Sequence, residues 1–98
     1  MKTSLIAGII FLSLSAHAQD VQQGQIKFAS CAACHGNQGQ GGVGPKLQGQ
    51  KADAIVKKLT AYKNQQQVGP QSQLMWGIAS GLTPVDIKNV AAYIVTLK

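Results

Sequence analysis

Two cysteines and a histidine fall within five consecutive residues, Cys31-Ala32-Ala33-Cys34-His35. A structural zinc site would need four ligands, usually Cys and His in two pairs. The chain has two Cys and two His, and His17 lies in an N-terminal segment read below as a removable leader. A thioredoxin-like pair belongs beside a βαβ pattern, and the sequence contains no period-2 strand signal. A Cys31–Cys34 disulfide would close too short a loop to constrain the unfolded chain much. It would also leave the adjacent His35 without a role.

The C-x-x-C-H spacing matches covalent attachment of a c-type haem. Two intervening residues let both sulfurs reach the two vinyl groups on one edge of a porphyrin. Neither alanine obstructs the macrocycle, and the next residue presents an imidazole to the iron from the same side. Cys31 and Cys34 are the candidate thioether anchors and His35 the candidate iron ligand. The opposite face of the iron is assigned by elimination. Haem iron in c-type carriers commonly takes His and Met. Once His17 is gone, no second His remains, and the one methionine beyond the leader is Met75. A lone methionine is ordinarily core filler; beside a haem motif, the ligand reading takes precedence. A thioether favours ferrous iron and raises the reduction potential. With both axial positions filled, no site is open to substrate. The expected role is single-electron transfer, with no catalytic residues and no enzymatic activity.

The N-terminus predicts export. Lys2 gives a positive start, Leu5 to Leu14 (LIAGIIFLSL) is an apolar run of ten, and Ala16-His17-Ala18 is a small-residue cleavage signal. Residues 1–18 are read as a cleaved signal peptide and residues 19–98 as one monohaem domain, delivered to the periplasm. A membrane-spanning helix needs roughly 17–25 apolar residues, and no stretch reaches that length, so the mature form is expected to be soluble. A domain of 80 residues has a core so small that it usually needs a staple. A large covalently held cofactor would supply one.

Charge narrows the partners. The chain carries nine cationic residues, all lysine, against three aspartates. Without Lys2 the formal charge is +5. The lysines are dispersed and arginine is absent, although arginine is the favoured residue for bidentate phosphate and guanine contacts. Nucleic acid is therefore not the expected partner. Steering toward acidic protein surfaces is expected instead.

The remaining pattern is helical. Residues 20 to about 33 read as a helix, with Asp20 as N-cap, Gln23 as its reciprocal capping partner, and Val21, Gly24, Phe28 and Cys31 on one face. Residues 36–50 (GNQGQGGVGPKLQGQ) read as an irregular loop whose glycines allow the backbone close to something flat. It is not a phosphate loop, since no Gly-Lys-Ser/Thr follows the glycines. Lys51 to Lys63 is a helix facing inward through Ala52, Ile55, Leu59 and Tyr62. A polar loop broken by Gly69-Pro70 leads to a short helical segment from about Leu74 to Gly81. The last helix runs from Pro84 to about Leu97, with Thr83 as N-cap and Ile87, Val90, Ala91, Ile94 and Leu97 as its buried stripe.

Across essentially all of residues 19–98 the sequence resembles the class I cytochromes c, in particular the small bacterial cytochrome c-553 type. The residues that carry the resemblance are Gly24-x-x-x-Phe28-x-x-Cys31-Ala32-Ala33-Cys34-His35-Gly36, Gly42-Val43-Gly44-Pro45-Lys46-Leu47, Met75 with Ala79 and Leu82-Thr83, and Ala91-Ala92-Tyr93-Ile94. The resemblance implies an all-α fold of three to five short helices wrapped around one haem c. It implies that Cys31 and Cys34 anchor the haem, that His35 and Met75 bind its iron, and that the Pro45 carbonyl accepts a hydrogen bond from His35. It implies that Gly24 and Phe28 meet the last helix through Val90 and Tyr93. The partners it implies are respiratory redox proteins with acidic docking surfaces, such as a quinol-oxidising complex and a terminal oxidase or reductase. Trp76 departs from the usual pattern. Its indole could line the haem crevice, donate to a haem propionate or simply fill core. The glutamines of the loop (Gln65, Gln66, Gln67, Gln71, Gln73), then Tyr62 and Lys63, are the other candidates for the propionates.

Overall fold

The computed structural model describes residues 20–98, so the leader read at residues 1–18 lies outside the described residues. Four helices follow one another: α1 Val21–His35, α2 Ala52–Lys63, α3 Ser72–Ser80 and α4 Pro84–Ile94. No strand occurs among the described residues, in agreement with the all-α expectation. α1 packs on α4, α4 on α2, and α2 on α3.

α1 starts where its cap predicts. The Asp20 carboxylate accepts the Gln23 backbone N–H at 3.0 Å. The expected reciprocal half is replaced by a tertiary bond, because the Asp20 N–H donates to Asn89 Oδ1 of α4 at 2.8 Å. That bond makes the contact with α4 at the helix start, and Val21, expected on the buried face, is exposed instead. The helix runs two residues past the expected end at Ala33, through His35, and closes when the Gly36 N–H reaches the Ala32 carbonyl at 2.8 Å. The extension places Cys31, Cys34 and His35 on one face of a single rigid helix, at positions i, i+3 and i+4.

The crossing of α1 and α4 is the tightest contact in the fold. A Cβ on Gly24 would stand 1.9 Å from the Asn89 carbonyl oxygen and 2.9 Å from Tyr93 Cβ. Four residues on, the Phe28 and Tyr93 rings meet at 5.3 Å, tilted by 56°, a favourable edge-to-face geometry. The partners of Gly24 are thus Asn89 and Tyr93. Val90 is fully buried in the core cluster with Phe28, Ile87 and Ile94, so α1 meets α4 through Val90 and Tyr93 as expected, on the Phe28 side of the crossing.

α4 opens on a complete capping box. Thr83 Oγ1 accepts the Asp86 N–H at 3.0 Å and Asp86 Oδ2 accepts the Thr83 N–H at 2.9 Å. The helix ends at Ile94, three residues before Leu97. A turn then carries Leu97 into the core all the same, its N–H bonded to the Ile94 carbonyl at 3.0 Å.

The Thr83 backbone N–H, helped by Lys27 at 3.8 Å, holds the Asp86 carboxyl below its ordinary pKa. Folding therefore favours the ionised form. The resulting stability is present above the ordinary aspartate range, about pH 3.9, and is lost as pH falls through the lower folded value. Thermal melts of the parent and Asp86→Asn from pH 7 to pH 3 check this. The variant is expected to melt lower at neutral pH, and the two curves are expected to converge at the acid end.

Candidate functional site

α1 brings its reactive residues to one wall of a cavity of about 670 Å³. Cys31 and His35 are buried, Cys34 is exposed, and the two sulfurs are not joined to each other. Burial pushes the Cys31 thiol pKa up.

His35 is held from behind. Its Nδ1 lies 2.7 Å from the Pro45 carbonyl oxygen. A carbonyl can only accept, so Nδ1 carries a proton and donates, and in the neutral ring this puts the lone pair on Nε2. The glycine-rich loop is folded to make this contact. The Gly44 N–H bonds the Cys34 carbonyl at 2.7 Å, and the Gly41 N–H bonds the His35 carbonyl at 2.7 Å. These bonds satisfy the last carbonyls of α1 and fold the loop back over the end of the helix. A Cβ on Gly44 would meet the imidazole at 2.7–2.8 Å, so residue 44 must be glycine for the backbone to lie this close. The flat object that the loop approaches is the His35 ring.

The other walls come from the remaining helices: Ile55, Leu59 and Tyr62 of α2, Val90 and Ile94 of α4, and Met75 and Ile78 of α3. Met75 is half-buried. The four side chains selected from the sequence, Cys31, Cys34, His35 and Met75, therefore border one cavity, together with Pro45. Its volume is in the range of small-molecule and cofactor pockets. Two thiols on one helix face, an imidazole with a free Nε2 lone pair and a thioether, all on a mainly apolar hollow, suit a flat iron macrocycle. Among the described residues, no three His, Cys, Asp or Glu side chains gather to hold a bare metal ion. A second hollow of about 320 Å³ between α2 and α4 contains none of these groups.

The polar groups at the cavity differ in part from those expected. Tyr62 and Gln71 border it; Gln65, Gln66, Gln67 and Gln73 do not. Lys63 also lies outside, its Nζ donating to the Leu82 carbonyl at 2.5 Å and to the Ser80 carbonyl at 3.4 Å. The sequence reading missed Lys58 and Gln50, which border the cavity and bond each other, Nζ to Oε1, at 3.0 Å. Lys58 could have been found, since it falls between Ile55 and Tyr62 at helical spacing. Trp76 is half-buried, lies outside the cavity lining, and donates its indole N–H to the Gln66 carbonyl at 3.0 Å.

Comparison with known proteins gives the same picture. A family model described as cytochrome c matches residues 21–98. The chain is 40% identical over 78 residues to cytochrome c-554(548) of Halomonas halodenitrificans, covering 78% of this chain and 94% of that one. It is 41% identical over 91 residues to cytochrome c-554(547) of Halothiobacillus neapolitanus, covering 83% of this chain and 100% of that one. Among solved structures it is similar to cytochrome c4 of Acidithiobacillus ferrooxidans, with a TM-score of 0.70 at 32% identity over 85% of this chain. The match takes in 54% of that chain, so this chain spans about half the length of the cytochrome c4.

Proposed function

Since the chain belongs to the cytochrome c family, as a class I c-type cytochrome, we propose that it is a periplasmic shuttle whose haem is anchored by Cys31 and Cys34 and bound through iron by His35 and Met75. Members of this family are electron carriers with covalently attached haem c, and the haem supplies a reversible one-electron change at its iron. The protein's own residues provide the rest.

The observation that carries the reading is the 2.7 Å bond from His35 to the Pro45 carbonyl. It fixes the tautomer and ring orientation and makes Nε2 a better donor, as hydrogen bonds behind a metal-binding imidazole do. Met75 borders the same cavity and would fill the opposite axial position, leaving none for a substrate. Electron transfer without catalysis follows. The apolar walls would keep water from the iron, and the redox potential is set largely by the axial pair and this burial. Lys58 and Tyr62 are the polar groups best placed to meet the haem carboxylates.

Docking would use the cavity mouth. Val43 and Leu74 border the cavity and are 84% and 68% exposed. Exposed Lys46 and Lys51 directly follow Pro45 and Gln50 of the cavity lining. A small apolar patch edged by cations suits brief contact with an acidic redox protein of the respiratory chain. Export to the periplasm rests on the leader read at residues 1–18.

Stopped-flow transfer between the purified protein and an acidic redox partner tests this. Raising the ionic strength from about 10 mM to about 150 mM shortens the screening length from about 30 Å to about 8 Å. The second-order rate is expected to fall about tenfold or more. A rate that stays constant or rises would remove the lysine-steered shuttle.

A further inference from the structure

Met75 sits on a helix whose main packing is against one neighbour. α3 packs on α2, whereas α4 packs on both α1 and α2. What fixes the Met75 turn must therefore come largely from α2 and the segment that follows it.

That segment grips α3 at two points. The first is Ser72, a buried serine at the helix start. Its Oγ accepts the Val68 N–H at 2.8 Å and the Gly69 N–H at 2.7 Å, and donates to the Gly69 carbonyl at 2.9 Å. These three bonds use the full capacity of a hydroxyl group. The second is Trp76, whose indole N–H donates to the Gln66 carbonyl at 3.0 Å. Residues 72 and 76 stand one above the other on a single helix face, with Met75 on the adjoining one. We propose that residues 66–69 form a strap across the Met75 turn and that Trp76 is a positioning residue, its indole N–H holding the Met75 thioether toward the iron. The proposal rests on Met75 being the axial ligand.

An outside ligand that replaces Met75 must first let this turn move away, and the Trp76–Gln66 bond is lost with it. Removing the bond beforehand lowers the cost of opening. A hydrogen bond of ordinary net strength corresponds to a change of about two- to tenfold in the opening equilibrium.

The test uses the haem-loaded protein and imidazole as the competing ligand. Imidazole affinity is measured by titrating the weak ferric Met-to-iron band at the red end of the visible spectrum. Trp76→Phe, which keeps the ring and removes the N–H, is expected to bind imidazole about two- to tenfold more tightly than the parent. Lys63→Met provides the control, because it cuts the bonds from α2 to the far end of α3 and its vicinity at Ser80 and Leu82. Its imidazole affinity is expected to stay within about twofold of the parent, below the change expected from one lost hydrogen bond. A second measurement needs no variant. Indole N–H exchange of Trp76, followed by NMR, is expected to be slow in the parent and to quicken when imidazole is bound. Equal affinities in parent and Trp76→Phe, equal shifts in both variants, or indole exchange unaffected by imidazole would each overturn the strap while leaving Met75 ligation intact. Absence of the Met-to-iron band from the parent would overturn Met75 ligation and the strap together.

Discussion

Gly24→Ala is expected to destabilise the haem-loaded protein by at least about 3 kcal/mol, a drop in melting temperature of roughly 12 °C or more. Two effects oppose each other at this site. Alanine is the better helix former, by about 1 kcal/mol over glycine in a helix interior, and on propensity alone the variant would be more stable. Sterically, the new Cβ would lie 1.9 Å from the Asn89 carbonyl oxygen and 2.6 Å from its carbon. Those are backbone atoms of α4 and cannot rotate away, so the helices must separate. Overpacking of a flexible core site costs about 1–3 kcal/mol, and this rigid backbone clash belongs at or above the top of that range. Separation would also part the Phe28 and Tyr93 rings and strain the Asp20–Asn89 bond. Denaturant melts read the sign directly. A variant as stable as the parent, or more so, would mean that α1 and α4 do not cross here.

Met75→Leu is expected to change the haem spectrum completely while leaving the fold nearly unchanged. Leucine conserves volume, and such exchanges usually cost less than about 1.5 kcal/mol. What is lost is the sulfur. The ferric Met-to-iron band should vanish, the reduction potential should fall because the thioether no longer favours ferrous iron, and carbon monoxide should bind the ferrous protein readily. Loss of an outer partner of a metal ligand typically weakens binding 10–100-fold. Loss of the ligand itself should therefore raise imidazole affinity by more than about 100-fold. If Met75 were only packing, the variant would keep the band and the potential. If the parent itself bound carbon monoxide readily at neutral pH, a sensor or enzyme would be the better description than a carrier.

Much of this fold is written in local signals. Asp20 and Thr83 start their helices where residue chemistry predicts, since capping is decided within one turn. The inward faces of α2 and α4 follow from spacing alone. Ends and long-range partners are harder to read. α1 runs on to His35 because the loop returns to satisfy its last carbonyls through Gly41 and Gly44, a tertiary effect. α3 begins at Ser72, ahead of the expected Leu74, because a buried hydroxyl organises the preceding loop, which no periodicity reveals. Val21 fits the buried pattern yet is exposed, and the contact with α4 at the helix start is instead the Asp20–Asn89 bond, with a sequence separation of 69.

The site divides in the same way. Spacing singled out Cys31, Cys34 and His35 and inventory singled out Met75, and the structure brings all four to one cavity. Pro45 is an ordinary turn proline until its carbonyl is seen against His35, so it was legible only through family resemblance. Trp76 and Lys58 depended on which way a helix turns about its axis once packed. For Lys58 the helical spacing held the answer. For Trp76, which bonds a backbone carbonyl of the preceding loop, no residue pattern did.

Covalent attachment of one haem to both cysteines underlies the account of the site, and intact-mass spectrometry of the purified protein tests it most directly. The result expected is a single species with the mass of the polypeptide plus one haem, retained after acid and organic extraction and reduced to haem-free polypeptide only when both Cys31 and Cys34 are replaced. A bare polypeptide mass, or haem that extraction removes from the parent protein, would contradict it.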